Sequence, residues 1–143
     1  MSRWIGSLLL LCTFLSGAEG GFELTHRFTL KKDQPAVIEI RKDTPVTYAK
    51  EGLLTFRWTL WQNRRLVLLL DYEGFKHQYI LETKFGRSTT ELFLTGDYKR
   101  IDRRPFLLLT FEKFSKKERR ATITAQLHDP DKRLEIKIKK PKK

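Results

Sequence analysis

Residues 56–72 read Phe56-Arg57-Trp58-Thr59-Leu60-Trp61-Gln62-Asn63-Arg64-Arg65-Leu66-Val67-Leu68-Leu69-Leu70-Asp71-Tyr72. Phe56, Trp58 and Leu60 alternate with Arg57, Thr59 and Trp61, and Leu66, Leu68, Leu70 and Tyr72 repeat the same period. A period of two belongs to a strand with one buried face. Two such runs separated by a polar turn predict a β-hairpin. A three-residue loop at Gln62-Asn63-Arg64 pairs Leu60 with Leu66 and Trp58 with Leu68, which puts both apolar sets on one face. A two-residue loop would pair Trp58 with Leu69 and split them, so the longer loop is expected. Asn63 tolerates the left-handed backbone that such loops need.

The opposite face of this hairpin carries Arg57, Thr59 and Trp61 beside Val67, Leu69 and Asp71, and is half apolar. A second layer or a long loop is expected to cover it. The alternative is an exposed patch for a ligand or partner.

The same alternation extends outward in both directions. Upstream are Phe22 to Leu30 and Ala36-Ile38-Ile40. Downstream are His77-Tyr79-Leu81, Leu92-Phe93-Leu94, the dense run Phe106 to Phe111, Ala121-Ile123-Ala125-Leu127, and Leu134-Ile136-Ile138. Turn-forming clusters separate them, among them Lys32-Asp33-Gln34-Pro35, Phe85-Gly86-Arg87-Ser88 and His128-Asp129-Pro130-Asp131. Strands at this spacing predict an all-β fold. The expected architecture is one antiparallel sandwich or up-and-down barrel of about eight or nine strands, connected as a meander. Residues 45–52 have room for one helical turn.

The first eighteen residues follow a different pattern. Arg3 precedes an apolar run from Ile5 to Leu15, which ends in Ser16-Gly17-Ala18. This is the three-part form of a secretory signal peptide. The run is about half of the ~20 apolar residues that cross a bilayer. Cleavage is expected after Ala18, with Gly20 as the second choice. A lipoprotein reading of Cys12 is the weaker one, because Leu9, Leu10 and Leu11 precede it. Residues 1–18 are therefore read as signal peptide and 19–143 as one β-domain ending in a basic strand and tail. The predicted destination is secreted or periplasmic. The mature chain has no cysteine, since the protein's single one is Cys12.

Reactive constellations are scarce. Without a thiol there is no cysteine nucleophile and no Cys-rich zinc site. Ser88 and Ser115 lie in predicted turns and outside a Gly-x-Ser-x-Gly elbow. His26, His77 and His128 are read as two half-buried hydrogen-bonded residues and one turn residue rather than a metal triad. Asp129 and Asp131 flank Pro130 in a turn, and Lys132-Arg133 next to them oppose a cation. The expectation is a non-enzymatic protein with no cofactor and no metal.

Charge is the stronger signal. Lys and Arg number 29 against 17 Asp and Glu, a formal charge of +12. The basic residues cluster as Lys99, Arg100, Arg103 and Arg104, then Lys113, Lys116, Lys117, Arg119 and Arg120, then Lys137, Lys139, Lys140, Lys142 and Lys143. Such a surplus draws anions and anionic surfaces. The first two clusters flank one predicted strand and should lie about 20–25 Å apart by strand rise, as two basic rims rather than one pocket. Trp61 beside Arg57 offers a stacking surface. The predicted function is binding of an anionic ligand, a membrane surface or an acidic protein through these rims. Nucleic acid is disfavoured, as no groove-reading helix or RNA-binding signature is present. The competing account of the charge is solubility and protection of an edge strand. Two other functions remain: a structural subunit of an envelope or secretion assembly, using the half-apolar face or an edge strand, and a lipocalin-like carrier with an apolar ligand among Phe56, Trp58, Tyr79 and Phe106.

Overall fold

A computed structural model describes residues 21–42, 51–94 and 101–140. The expected signal peptide with Cys12, most of the candidate helical turn at 45–52, and Lys99, Arg100, Lys142 and Lys143 lie outside the described residues. Nine strands are present among the described residues: β1 (Leu24–Lys31), β2 (Ala36–Lys42), β3 (Glu51–Gln62), β4 (Arg65–Tyr72), β5 (Phe75–Glu82), β6 (Thr89–Phe93), β7 (Phe106–Ser115), β8 (Arg120–His128) and β9 (Leu134–Lys139). One short 3-10 turn at Ile101–Arg103 precedes β7. The strands form two antiparallel sheets, in the orders β1-β8-β7-β6 and β5-β4-β3-β2-β9. This is a sandwich; the sheets do not close into the barrel that was the alternative.

The connectivity departs from a meander at the chain's two ends and between β5 and β6, which lie in different sheets. β2 to β5 and β6 to β8 are meanders, but β1 pairs with β8 and β9 pairs with β2. The parting of β1 from β2 is local to Lys32-Asp33-Gln34-Pro35. Asp33 has φ 61 and its N–H donates to the Trp58 carbonyl on β3 at 2.9 Å, instead of closing a hairpin. Pro35 has no N–H with which to start a ladder back to β1. The chain turns a corner between sheets, and the last strand fills the vacant side of β2.

The core is the space between the sheets. Alternate residues of β3 and β4 (Leu54, Phe56, Trp58; Leu66, Leu68, Leu70) face those of β7 and β8 (Leu107, Leu109, Phe111; Ala121, Ile123, Ala125), all buried. Phe28 meets Phe56 edge-on across the gap at 5.2 Å. Two side-chain hydrogen bonds tie the sheets together at opposite ends. Trp58 Nε1 donates to the Leu30 carbonyl and Tyr72 Oη to the Leu94 carbonyl, each at 2.9 Å. Burial, followed by the charge of Glu73, pushes the Tyr72 phenol well above its ordinary value, so it remains the donor.

The β3–β4 hairpin reaches the expected face by a different route. Trp58 does pair with Leu68, but the loop is the two-residue Asn63-Arg64, with φ 51 and 66. That pair of positive angles suits the twist of a tight hairpin. A β-bulge between Trp58 and Leu60 supplies the missing residue, so that Leu60 pairs with Val67 and Trp61 with Leu66. The bulge swings Trp61 to the inner face and Leu60 to the outer one, the reverse of the strict alternation.

The outer face of the hairpin is not covered by the second sheet, which packs on the other side. Leu60, Val67 and Ile80 form a row across three strands, with Leu60 50% and Ile80 60% exposed. The expected covering layer is absent among the described residues.

Candidate functional site

Alternation of the strands brings four connections, β1–β2, β3–β4, β5–β6 and β7–β8, to one end of the sandwich. Over residues 31–34, 62–65, 82–88 and 112–120 the sequence carries eleven Lys and Arg against four Asp and Glu. The described residues of the alternate segments, 42, 51, 72–75, 94, 101–106 and 128–134, carry five against five. The positive surplus of the connections therefore belongs to one end.

Two bulges build that end. The first, on β3, turns Trp61 inward. The second, on β7 between Phe111 and Lys113, does the same for Phe114. Trp61 and Phe114 stack with ring centres 4.3 Å apart and planes 10° from parallel. Trp58 meets Phe114 edge-on, with ring centres 5.5 Å apart. Together the three rings plug the mouth of the sandwich.

A groove lies on each side of the plug. One, of about 650 Å³, is lined by Lys31, Lys32, Lys116 and Arg119, with Glu118. The other, of about 380 Å³, is lined by Arg64, Lys84, Lys113 and Lys116, with Glu112. Lys116 belongs to both, and its Nζ sits 5.7 Å from the Trp61 ring centre. This is the range of a cation–π contact. Among the described residues no acidic side chain is within ion-pair distance of Arg64, Lys84, Lys113 or Lys116. The turn that presents Lys116 and Lys117 is shaped by Ser115, whose Oγ accepts the Glu118 N–H at 3.2 Å. Arg119 follows with φ 53, and Arg120 opens β8 opposite Lys31.

The candidate residues read from the sequence thus separate into groups. Trp61, Lys113, Lys116 and Arg119 line the grooves, and Lys117 and Arg120 flank them. Arg57 does not accompany Trp61. It lies on the outer sheet face, in a shallow depression of about 570 Å³ with Leu69, Asp71 and Lys76. Arg103 and Arg104 lie beyond the far end of β7, which spans ten residues and so separates them from Lys116 by about 30 Å. There Arg103 Nε donates to Asp131 at 2.8 Å, and the Arg104 guanidinium covers the Phe93 ring at 4.2 Å. Lys139 pairs with Glu39 of β2, so part of the C-terminal charge is used to hold β9. The sequence reading missed Lys31, Lys32, Arg64 and Lys84. The strand count contained the signal: every second connection of an antiparallel fold shares an end.

His26 lies on β1 and His77 on β5, at opposite edges of the sandwich, and His128 tilts against Phe106 at 4.8 Å. Among the described residues no three His, Cys, Asp or Glu side chains gather as a metal site. Asp129 is buried. Its N–H donates to Glu23 and its carboxylate accepts the Leu134 N–H at 2.8 Å, which shapes the β8–β9 turn. The four residues named for an apolar ligand do not converge. Phe56 and Trp58 point into the core, whereas Phe106 alternates to the outer face of its sheet beside Phe93 and Phe22. No protein family, curated protein or solved structure matches this chain.

Proposed function

We propose that this chain is an exported, non-enzymatic β-sandwich that binds an anionic ligand at the end where its basic connections converge. The observation that carries this reading is the set Arg64, Lys84, Lys113 and Lys116. Four cations, three from separate connections and Lys113 from the end of β7, line one groove, with no acidic partner in ion-pair distance among the described residues. Like charges gathered in a cleft raise the local potential for an anion. Solubility alone calls only for charges interspersed over the whole surface. Export rests on the signal-peptide form of residues 1–18.

Heparin chromatography is the direct test. Wild type is expected to be retained and to elute with salt, as screening shortens the reach of the charges. Changing Arg64, Lys84, Lys113 and Lys116 together to Gln is expected to lower the eluting salt markedly. Neutralising four cations elsewhere, Lys76, Lys132, Arg133 and Lys137, should change it little. Equal loss in both variants would show that net charge, not this end, governs retention, and the reading would fall.

A second reading is supported by the open row Leu60-Val67-Ile80. In it the chain is a subunit of an envelope or secretion assembly whose neighbour covers that face. A stoichiometric partner that co-purifies with wild type and is lost on Ile80→Asp would favour it.

A further inference from the structure

The β5–β6 connection presents a feature that binding of anions leaves unused. Phe85 is 83% exposed at its tip. The loop is closed at its base by the Glu82 N–H donating to the Arg87 carbonyl at 3.0 Å. It is also tethered to β7 by the Phe111 N–H donating to the Ser88 carbonyl at 2.7 Å. Phe85 and Gly86 both have left-handed backbones, with φ 63 and 65. For a residue with a bulky side chain that conformation is disfavoured. An aromatic ring is thus held in water, on a tied loop, by a backbone that opposes it.

The surroundings of Phe85 are cationic. Lys84 precedes it and Arg87 follows it by two residues, both exposed. Thr83 and Lys84 line the same groove as Arg64, Lys113 and Lys116. A projecting apolar ring within a field of Lys and Arg matches one kind of surface in particular. A bilayer with anionic lipid offers phosphates at the level of the cations and an apolar boundary just beneath. A soluble polyanion would engage the cations and leave the ring exposed.

Resting on the anion-binding reading above, we propose that the partner of this end is the headgroup layer of an anionic lipid bilayer, into which Phe85 inserts while Arg64, Lys84, Lys113 and Lys116 meet the phosphates. Each such cation near the surface strengthens binding about fivefold, and burial of the ring at the boundary contributes about tenfold.

The test uses the full chain, with all variants sharing one N-terminus, in sedimentation with vesicles of phosphatidylcholine containing a minor fraction of phosphatidylglycerol. Vesicles of phosphatidylcholine alone and heparin columns are run in parallel. Phe85→Ser is expected to weaken binding to the mixed vesicles about tenfold and to leave heparin retention and melting temperature unchanged. Lys84→Gln with Lys113→Gln should weaken both vesicle and heparin binding. Phe85→Trp should bind vesicles and add an emission that shifts to the blue and is quenched by brominated lipid.

Unchanged vesicle affinity in Phe85→Ser, or an unshifted Phe85→Trp, overturns the insertion. Retention of wild type on heparin without binding to mixed vesicles overturns the lipid proposal and leaves a soluble polyanion as the ligand. Failure of wild type on both overturns the anion-binding reading together with the proposal.

Discussion

Gly52 shows how a single position constrains the sandwich. It sits on β3 opposite Ile40, and an added methyl group would lie 3.1 Å from the Tyr72 ring. The ring has little room to move, because its hydroxyl is fixed to the Leu94 carbonyl and its body is buried. The same methyl would meet the Glu73 carboxylate at 3.1 Å, at the exposed turn between β4 and β5. Gly52→Ala is therefore expected to destabilise the fold by about 1 kcal/mol through crowding of Tyr72. Urea unfolding would measure it. In a Tyr72→Ala background the penalty should vanish, which distinguishes crowding from a loss of backbone freedom. The contact of Gly52 with Tyr72 was not legible in the sequence, since it is diagonal, two residues along β3 from the Leu54–Tyr72 pair, and alternation along a strand shows faces rather than diagonal neighbours.

At the scale of elements, the β3–β4 hairpin was legible in its faces and not in its mechanics. Trp58 opposite Leu68 follows from burying one face, and any loop that achieves it satisfies the alternation. Asn63 and Arg64 both accept positive φ, so the chain takes the tighter turn and corrects the register with a bulge. That bulge carries Trp61 into the aromatic plug, which strict alternation had placed on the far side from Phe114. Arg64 keeps its left-handed backbone at a cost that glycine would not incur. Arg64→Gly is expected to raise stability by about 0.5–1 kcal/mol while lowering the salt needed to elute from heparin. Stability and binding would then move in opposite directions, as expected where a strained residue serves a site.

The edge strand β9 depends on charge in a different manner. Glu39 of β2 faces Lys137 directly and Lys139 on the diagonal. The hydrogen bond from Lys139 holds the Glu39 carboxyl below its ordinary value, with the charges of Lys139, Lys137 and Arg41 assisting. A depressed carboxyl contributes stability above its ordinary value of about 4.3, and the contribution is lost as pH falls through the depressed value. Glu39→Gln should accordingly melt below wild type at neutral pH, and the two melting curves should converge under acid conditions. A gap that persists in acid would assign the effect to packing.

For the whole molecule, the all-β class and the buried stripes followed from alternation, whereas the placement of charge required the fold. Three basic clusters in the linear chain suggested two rims. The exchange of β1 and β9 between sheets does not alter which connections share an end, and those connections are uneven, with eleven cations against four carboxylates at one end. Such a concentration opposes folding through mutual repulsion, and a ligand that binds only the folded state relieves it. In the absence of ligand and at low salt, the fourfold Gln variant at Arg64, Lys84, Lys113 and Lys116 should therefore melt above wild type. Addition of heparin at about a hundred times its dissociation constant should stabilise wild type by about 2.7 kcal/mol and the variant by much less. The order of the two melting temperatures would invert as heparin is added. A wild type that gains nothing from heparin at low salt would mean that the cations repel one another without receiving a ligand, and the charge would then have to be explained by solubility alone.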